Sequence, residues 1–283
     1  MKPDSSGTAA AAAERDRIDR AHLKDPGDVS HVMHRYERPP AFEGLLQRFW
    51  IPVWSVPPGQ EAPQRVLQYP VSLVVITPDY ARFYGVVSGL STTTLTGTGW
   101  AVGVMCEPAA GHLIARAPMA AYTDRFVDVA EVLGDAAGPL VERVRTAMAA
   151  DPSAPDAHRA AMEAYGEALR PFLPVDPEGR LVNRLVTFVE SRSDVTRVAQ
   201  VCREFDLSER ALQRLVHRRL GLTPKWLIQR RRLQEAAELL RTGSASPAEV
   251  AAALGYADQP HFIRDFGRVT SMTPGEFAAL HGN

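Results

Sequence analysis

The chain has 283 residues, 45% of them hydrophobic, with 32 lysines and arginines against 33 aspartates and glutamates and only two cysteines. That length predicts two domains, each able to bury an adequate core. No apolar run approaches the ~20 residues of a membrane span, no hydrophobic signal core opens the chain, and Cys106 and Cys202 are too few for a disulfide framework and fit a reduced, cytoplasmic setting.

Near-neutrality conceals an asymmetry. Residues 180–283 carry 16 basic and 11 acidic side chains, a net of +5, whereas residues 1–179 carry 16 and 22, a net of −6. A basic module behind an acidic one is the pattern of a nucleic-acid-binding domain fused to a controlling domain.

Residues 1–30, an alanine run followed by the charged ERDRIDR segment, have little to bury and read as a disordered tail with at most a transient helix. His31 and His34 have the spacing of helical metal ligands, but no Cys or carboxylate accompanies them at metal spacing, so a structural or exposed role is expected and no metal site. From about residue 35 to 118 the grammar is that of strands and turns. Segments rich in aromatic and β-branched residues recur at 49–56, 65–69, 72–77, 82–87, 91–95 and 100–106, punctuated by Pro57-Pro58-Gly59, Pro78-Asp79, Gly97, Gly99 and Gly111. Short strands at this spacing predict an antiparallel sandwich or barrel, a fold that can enclose a ligand cavity or present a protein-binding face. Trp50, Trp54, Tyr84 and Trp100 are candidates for an aromatic pocket, with core packing the commoner use of such residues. His112 reads as a satisfied structural histidine.

Helices return from residue 123. DRFVDVAEVLG is amphipathic, and two more helices are predicted over 139–149 and 156–172, the expected place for contacts between protomers or with the C-terminal half. Residues 31–173 therefore read as a β-rich regulatory or oligomerisation domain, and 174–179, with its prolines and glycine, as a linker.

Residues 180–283 hold one pattern twice. VAQVCREFDLSERALQRLVHRRLGLTP and PAEVAAALGYADQPHFIRDFGRVTSMTP both close on Thr-Pro, with Thr223-Pro224 and Thr273-Pro274 fifty residues apart. At that offset Leu212 matches Phe262, Arg214 matches Arg264 and Val216 matches Phe266. Upstream of the turn the offset falls to forty-nine, where Cys202 matches Ala251 and Leu207 matches Tyr256. A short helix, a tight turn and a second, basic helix, repeated, is the sequence form of two helix-turn-helix units. In the first unit Ser208 caps the second helix and Glu209 sits in its first turn. Ala211, Leu212, Leu215, Val216 and Leu220 recur at helical spacing as its buried face, which leaves Arg210, Gln213, Arg214 and His217 outward. In the second unit Asp258 is the cap, Pro260 falls in the tolerant first turn, and Phe262, Phe266 and Val269 point inward, with Gln259, His261, Arg264 and Arg268 outward. Arg and Gln have the forked donors and acceptors that match guanine and adenine edges in the major groove. Such a row on a single helix is more often merely solvated; the repeat favours the reading role. Between the units KWLIQRRRLQEAAELLR is one amphipathic helix of about four to five turns, long enough to hold two reading helices about 34 Å apart in successive grooves. Its run Arg230-Arg231-Arg232 is either phosphate-contacting or solvated.

LSERALQRLVHRRLG, TPKWLIQRRRLQEAAELL, VAAALGYADQPHFIRDF and the closing TPGEF form an ordered set, and in them the last hundred residues resemble the DNA-binding domain of AraC/XylS-type transcription regulators. RYERPPAFEGLLQRFW, RVLQYPVSLVVI and GWAVGVMCEPAAGHLIARAPMAAYTDRFVDVAEVLG are similar, less specifically, to a β-rich N-terminal domain of some AraC-type proteins. The resemblance implies an α+β multidomain fold, with an N-terminal antiparallel β sandwich or barrel-like sensor domain and a C-terminal all-α domain of two helix-turn-helix units joined by a linker helix. It implies a non-enzymatic, cytoplasmic transcription regulator without cofactor or metal. Base reading falls on Arg210, Gln213, Arg214, Gln259, His261 and Arg264, and phosphate contacts on His217, Arg218, Arg230, Arg231 and Arg268. Double-stranded DNA and RNA polymerase are the implied partners. For the N-terminal half a small-molecule effector, a homodimer contact and a protein partner stand as alternatives. Three departures are visible: Asp206 occupies the place of a turn glycine, Pro260 replaces a polar residue, and Tyr69-Pro70 stands near where relatives carry Asp-Gly. A competing reading, a DNA-repair alkyltransferase with a regulator-like DNA-binding part, needs an activated cysteine; Cys106 in MCEP has no adjacent His or Cys, and Cys202 falls on a structural helix.

Overall fold

Alternation of side chains in the first half of the chain builds one antiparallel sheet with two unlike faces. The computed structural model describes residues 23, 27–67, 69–243 and 245–281; most of the expected N-terminal tail lies outside them. Six strands run in the order β1 (His31–Glu37), β2 (Leu46–Ser55), β8 (Val102–Cys106), β4 (Leu73–Ile76), β5 (Ala81–Tyr84) and β9 (Phe126–Asp128), and β7 (Thr98–Trp100) also pairs with β2. Strands β3 (Ala62–Leu67) and β6 (Leu90–Leu95) form a separate two-stranded ribbon.

Because successive residues point to opposite faces, the register sorts the sheet cleanly. Phe49, Ile51, Val74, Phe83, Val102 and Val104 fall on one face and pack against helices α3 (Ala137–Met148) and α4 (Pro155–Leu169) through Leu140, Val144, Tyr165 and Leu169. Tyr165 is fully buried there, and its hydroxyl donates to the Val102 carbonyl at 2.7 Å. The other face carries Trp50, Trp54, Leu73, Val75 and Met105, and with the β3–β6 ribbon it encloses a cavity of about 210 Å³. Of the aromatic pocket candidates, Trp50, Trp54 and Tyr84 line this cavity, whereas Trp100 faces the helices and belongs to the core.

Short helices α1 (Ala110–Ala115) and α2 (Val129–Leu133) complete this half. The amphipathic reading of DRFVDVAEVLG was half right. Its start is strand β9, and the helix begins only after Asp128, which accepts from the Ala130 N–H at 2.8 Å while Glu131 accepts from the Asp128 N–H at 3.2 Å. That reciprocal cap is a strong local start signal. Strand β1 was not anticipated at all, and it places His31 and His34 three residues apart on a strand, therefore on opposite faces.

The C-terminal half is all helical: α5 (Pro177–Ser191), α6 (Val198–Phe205), α7 (Glu209–Leu220), α8 (Pro224–Arg241), α9 (Pro247–Ala253), α10 (Gln259–Thr270) and α11 (Pro274–His281). Helix α5 starts inside the stretch read as linker. Pro177 sits in its first turn and Asp176 accepts from the Gly179 N–H at 2.6 Å, so the proline signal there marks a helix start and not a break. The two helix-turn-helix units are α6–α7 and α9–α10, with Asp206 in the left-handed conformation (φ 50°) at the first turn. Ser208 and Asp258 cap the second helices by accepting from the Ala211 and His261 N–H groups at 3.2 and 2.7 Å. Each unit has its own core, and α8 supplies Leu227 and Ile228 to the first and Leu233, Ala236, Ala237 and Leu240 to the second. Leu23, assigned from sequence to a tail with little to bury, lies in the second core and donates its N–H to the Arg65 carbonyl at 2.8 Å.

The halves are joined by more than the chain. Val86 and Ala109 of the β half lie in the core of the first unit, and Asn183 of α5 bridges Gly44 O and the Ala109 N–H at 2.8 and 2.9 Å. Replacing Asp128 by Ala removes the α2 cap and is expected to lower the stability of the β half by about 1 kcal/mol. Urea titration followed by circular dichroism measures it; an unchanged midpoint would show that the packing of Val129 and Val132 alone sets this helix.

Candidate DNA interface

Helix α7 buries Leu212, Leu215, Val216 and Leu220 and turns Arg210, Gln213, Arg214 and His217 to solvent. This split follows from the 3.6-residue period and is the condition for a helix face to enter a groove. Gln213 donates to Glu209 Oε1 at 3.0 Å one turn back. On α10 Phe262, Phe266 and Thr270 are buried, and Gln259, Arg264 and Arg268 are exposed. His261 is half-buried, its ring 5.3 Å from that of Tyr256 and its Nε2 3.5 Å from Asp265. Asp265, 8% exposed, also accepts from Arg268 at 3.1 Å and Gln229 at 3.3 Å. One carboxylate thus sets the geometry of two candidate contact residues and ties α10 to α8.

The arginine run of α8 is placed differently from expectation. Arg230 and Arg231 are 3% and 2% exposed and cannot reach a phosphate from there. Arg230 donates to Glu190 at 2.6 Å, and its guanidinium lies 4.3 Å from the centroid of the Tyr69 ring. Arg231 donates to Glu235 at 2.7 Å and to the Val195 carbonyl at 2.9 Å. Arg232 stacks on Tyr256 at 3.8 Å. The expectation that this run is phosphate-contacting or solvated therefore gives way: α8 is covered on most of its circumference, and Arg230 and Arg231 are internal ties.

Arg218 is half-buried and ion-paired to Glu178. Arg219, not singled out from the sequence, is 4% exposed and donates to Asp176 Oδ2 at 2.5 Å and Glu178 Oε2 at 2.7 Å. Burial works against the charge on Asp176, yet the hydrogen bonds from Arg219 and the Gly179 N–H hold its carboxyl below the usual range. The C-terminal end of α7 is in this way pinned to the first turn of α5. The only sequence signal for this was the Asp176-x-Glu178 pair in a stretch read as linker. Gly221, in the left-handed region at φ 76°, ends α7 against the β half, where its carbonyl accepts from Thr123 Oγ1 at 3.0 Å. A Cβ at that glycine would lie 2.2 Å from the same hydroxyl. Of the phosphate candidates, His217 and Arg268 remain on the surface.

Among the described residues neither cysteine has the setting of an activated nucleophile. Burial pushes the Cys106 thiol up to about 12, and the Cys202 thiol is also raised by burial. His112 hydrogen-bonds the Ala117 carbonyl at 2.9 Å, and burial is the largest of the effects that lower its pKa. His34 packs on His158 at 4.7 Å. Among the described residues no group of three or more His, Cys, Asp or Glu is placed to hold a metal ion, and no helix is long and apolar enough to cross a membrane.

Fold and surface together define a two-part α+β protein that ends in tandem helix-turn-helix units. Residues 201–279 match a helix-turn-helix domain family, and residues 34–128 match a domain of unknown function, DUF6597. The HTH-type transcriptional activator RhaR of Mannheimia succiniciproducens is 34% identical over 88 residues, 31% of this chain and 32% of that protein. RhaS of Escherichia coli, also an HTH-type transcriptional activator, is 34% identical over 94 residues, 33% of this chain and 34% of its own. These matches span about a third of the relatives' length. An AraC-type DNA-binding domain-containing regulator from Chromobacterium violaceum is 27% identical over 34% of this chain and 86% of its own (TM-score 0.32). ToxT from Vibrio cholerae is 14% identical over 89% of this chain and 97% of its own (TM-score 0.37). Residues 201–279 thus match a helix-turn-helix domain, and over about a third of its length the chain is similar to HTH-type transcriptional activators.

Substituting Arg231 by Ala removes a buried guanidinium from Glu235 and the Val195 carbonyl and is expected to cost about 2 kcal/mol of stability. The dependence of DNA affinity on salt should stay as it was. Chemical denaturation read beside a salt titration of duplex binding separates the two: a shallower slope in a fully stable variant would restore Arg231 to the phosphate contacts.

Proposed function

We propose that the protein is a sequence-specific transcription regulator that reads two adjacent major-groove segments of duplex DNA. The observation that carries this reading is the pair of capped helices, α7 and α10, at equivalent places in a repeat, each turning a polar Arg/Gln face to solvent while both are packed on one helix of 18 residues. Eighteen residues span about 27 Å, of the order of one duplex turn. Arg210, Gln213, Arg214, Gln259, His261 and Arg264 are the proposed base-reading set, and His217 and Arg268 the phosphate contacts. Phosphate contacts supply most of the affinity and fix register; the base edges choose the sequence. The β half is the controlling half, because it holds both the base of α7 and the side of α8, and RNA polymerase is the machinery the bound protein would act on in the cytoplasm.

Selection of binding sites from random duplexes, followed by the same selection with Arg214→Ala, tests this directly. The full chain should enrich an asymmetric site with two conserved blocks, and Arg214→Ala should relax one position, a loss of about 1–3 kcal/mol of discrimination. An identical selected sequence for the variant would remove α7 from the reading surface, and failure to enrich any site would sink the regulator reading.

A further inference from the structure

The second reading helix carries a carboxylate where a polyanion is to be bound. Asp265 stands on α10 three residues after Phe262, at the edge of the buried stripe, and is 8% exposed. A negative charge there works against affinity for DNA, and burying it requires partners. Three groups meet it. Gln229 Nε2 of α8 donates to Oδ2 at 3.3 Å, Arg268 donates to Oδ1 at 3.1 Å, and His261 Nε2 lies 3.5 Å from Oδ2. Gln229 Nε2 and Arg268 can only donate, whereas an imidazole nitrogen holds either a proton or a lone pair. The imidazole is confined on a second side as well. The Tyr256 ring meets it edge-on, with centroids 5.3 Å apart and planes at 86°, and Tyr256 is itself covered by Arg232 of α8 at 3.8 Å. His261 is thus held between a fixed ring and a fixed carboxylate, while its side chain stays 44% exposed.

On the regulator reading above, we infer that Asp265 is a positioning residue that decides which base pairs the second reading helix accepts. A lone pair on His261 Nε2 would point at the carboxylate oxygen, so the proton is held on Nε2 and Nδ1 is left as an acceptor. In the major groove an acceptor suits the exocyclic amine of adenine (N6) or cytosine (N4) and is repelled by the carbonyl of guanine (O6) or thymine (O4). Each base pair carries one such amine and one such carbonyl, on opposite strands. His261 therefore distinguishes a pair from the same pair reversed, with a single hydrogen bond. With Asp265 gone the proton can sit on either nitrogen, and the ring takes both orientations alike. The corresponding pair on α7 acts differently. Glu209 is exposed and accepts from Gln213 at 3.0 Å, but an amide shows DNA both a donor and an acceptor however it is held.

Sites selected from random duplexes by the full chain, His261→Ala, Asp265→Ala and the double variant test this. The pair at the position that loses its preference in His261→Ala should bind the parent about tenfold more weakly when reversed, A·T to T·A or C·G to G·C. Asp265→Ala should cut that penalty below twofold and leave the block read by α7 as it was. In the His261→Ala background it should change nothing further at that position, the non-additivity of two groups acting as one. Overall affinity is not the readout, because removing a negative charge beside the phosphates strengthens every duplex alike. The DNA supplies a second measurement. Purine in place of the adenine, or 2-pyrimidinone in place of the cytosine, removes the amine and should weaken the parent about tenfold but Asp265→Ala less than twofold. If Asp265→Ala fails to fold, Asp265→Asn replaces it; its amide meets either ring tautomer and should lower the reversal penalty in the same way. A preference untouched by His261→Ala, a folded Asp265 variant that keeps the reversal penalty, or an amine-free base bound by the parent as tightly as the natural one overturns the assignment. Failure to enrich any duplex removes the regulator reading and this assignment with it, whereas a two-block site whose second block fails these tests removes the assignment alone.

Discussion

The rotational phase of α8 is the constraint on which the rest of the molecule depends. At 100° per residue, and counting from Trp226, the helix divides into three arcs. Trp226, Arg230 and Gln234 fall within about 80° and all touch the β half: Trp226 Nε1 donates to Ser88 O at 3.0 Å, Arg230 stacks on Tyr69, and Gln234 Nε2 donates to Leu67 O at 3.2 Å. Leu227, Ile228 and Arg231, at about 100–200°, face the first unit. Leu233, Ala236, Ala237 and Leu240, from about 280° round to 20°, make the wall of the second core. A slip of one residue would turn every arc to the wrong neighbour. The two buried arginines reinforce the phase more than they stabilise the fold, since a buried ion pair roughly breaks even against its desolvation but has only one orientation in which its partners are met.

The sheet obeys an analogous rule with period two. One face is aliphatic and closed by α3 and α4; the other alternates large aromatics with glycines across neighbouring strands. Glycine in a strand usually weakens it. Here Gly99 and Gly103 let the indoles lie flat, and the energy lost in propensity is offset by aromatic burial. The result is a face that cannot close dry on itself and needs the β3–β6 ribbon as a lid. A cavity is what remains between them.

Much of this was legible in the residues. The tandem units were visible because their signals are local: Ser208 and Asp258 as caps, Thr-Pro at the end of each unit, and an apolar stripe at helical spacing. The strands between 46 and 106 were visible because β-branched and aromatic residues alternate with turn formers. What escaped depends on distant partners. Strand β1, with two histidines, two charged residues and one tyrosine in HVMHRYE, is an edge strand recognisable only by its pairing with β2. Arg230 and Arg231 have the look of surface residues because charge predicts exposure, and partners such as Glu190 and the Val195 carbonyl, about forty residues upstream, help make their burial tolerable. Arg219 escaped for the same reason: Asp176 and Glu178, which satisfy it, sit in a stretch whose prolines suggested a break. Trp50 and Trp54 were visible as aromatics, but their exposure to a cavity follows from the glycines opposite, a fact of register.

Whether the β half can govern the helices it touches is a question of magnitudes. The contact between the halves rests on a shared apolar cluster and a few polar ties at Asn183, Thr123, Trp226, Arg230 and Gln234. Each such hydrogen bond contributes about 1 kcal/mol net, and the stack of Arg230 on Tyr69 a comparable amount. The free energies that couple distant sites are typically about 1–3 kcal/mol, the worth of one to three of these ties. A signal from the β half therefore need not separate the halves. Loss or gain of contacts along one arc of α8 is of the right size, and any event in the β half shifts such a balance only by the difference it makes between the two arrangements.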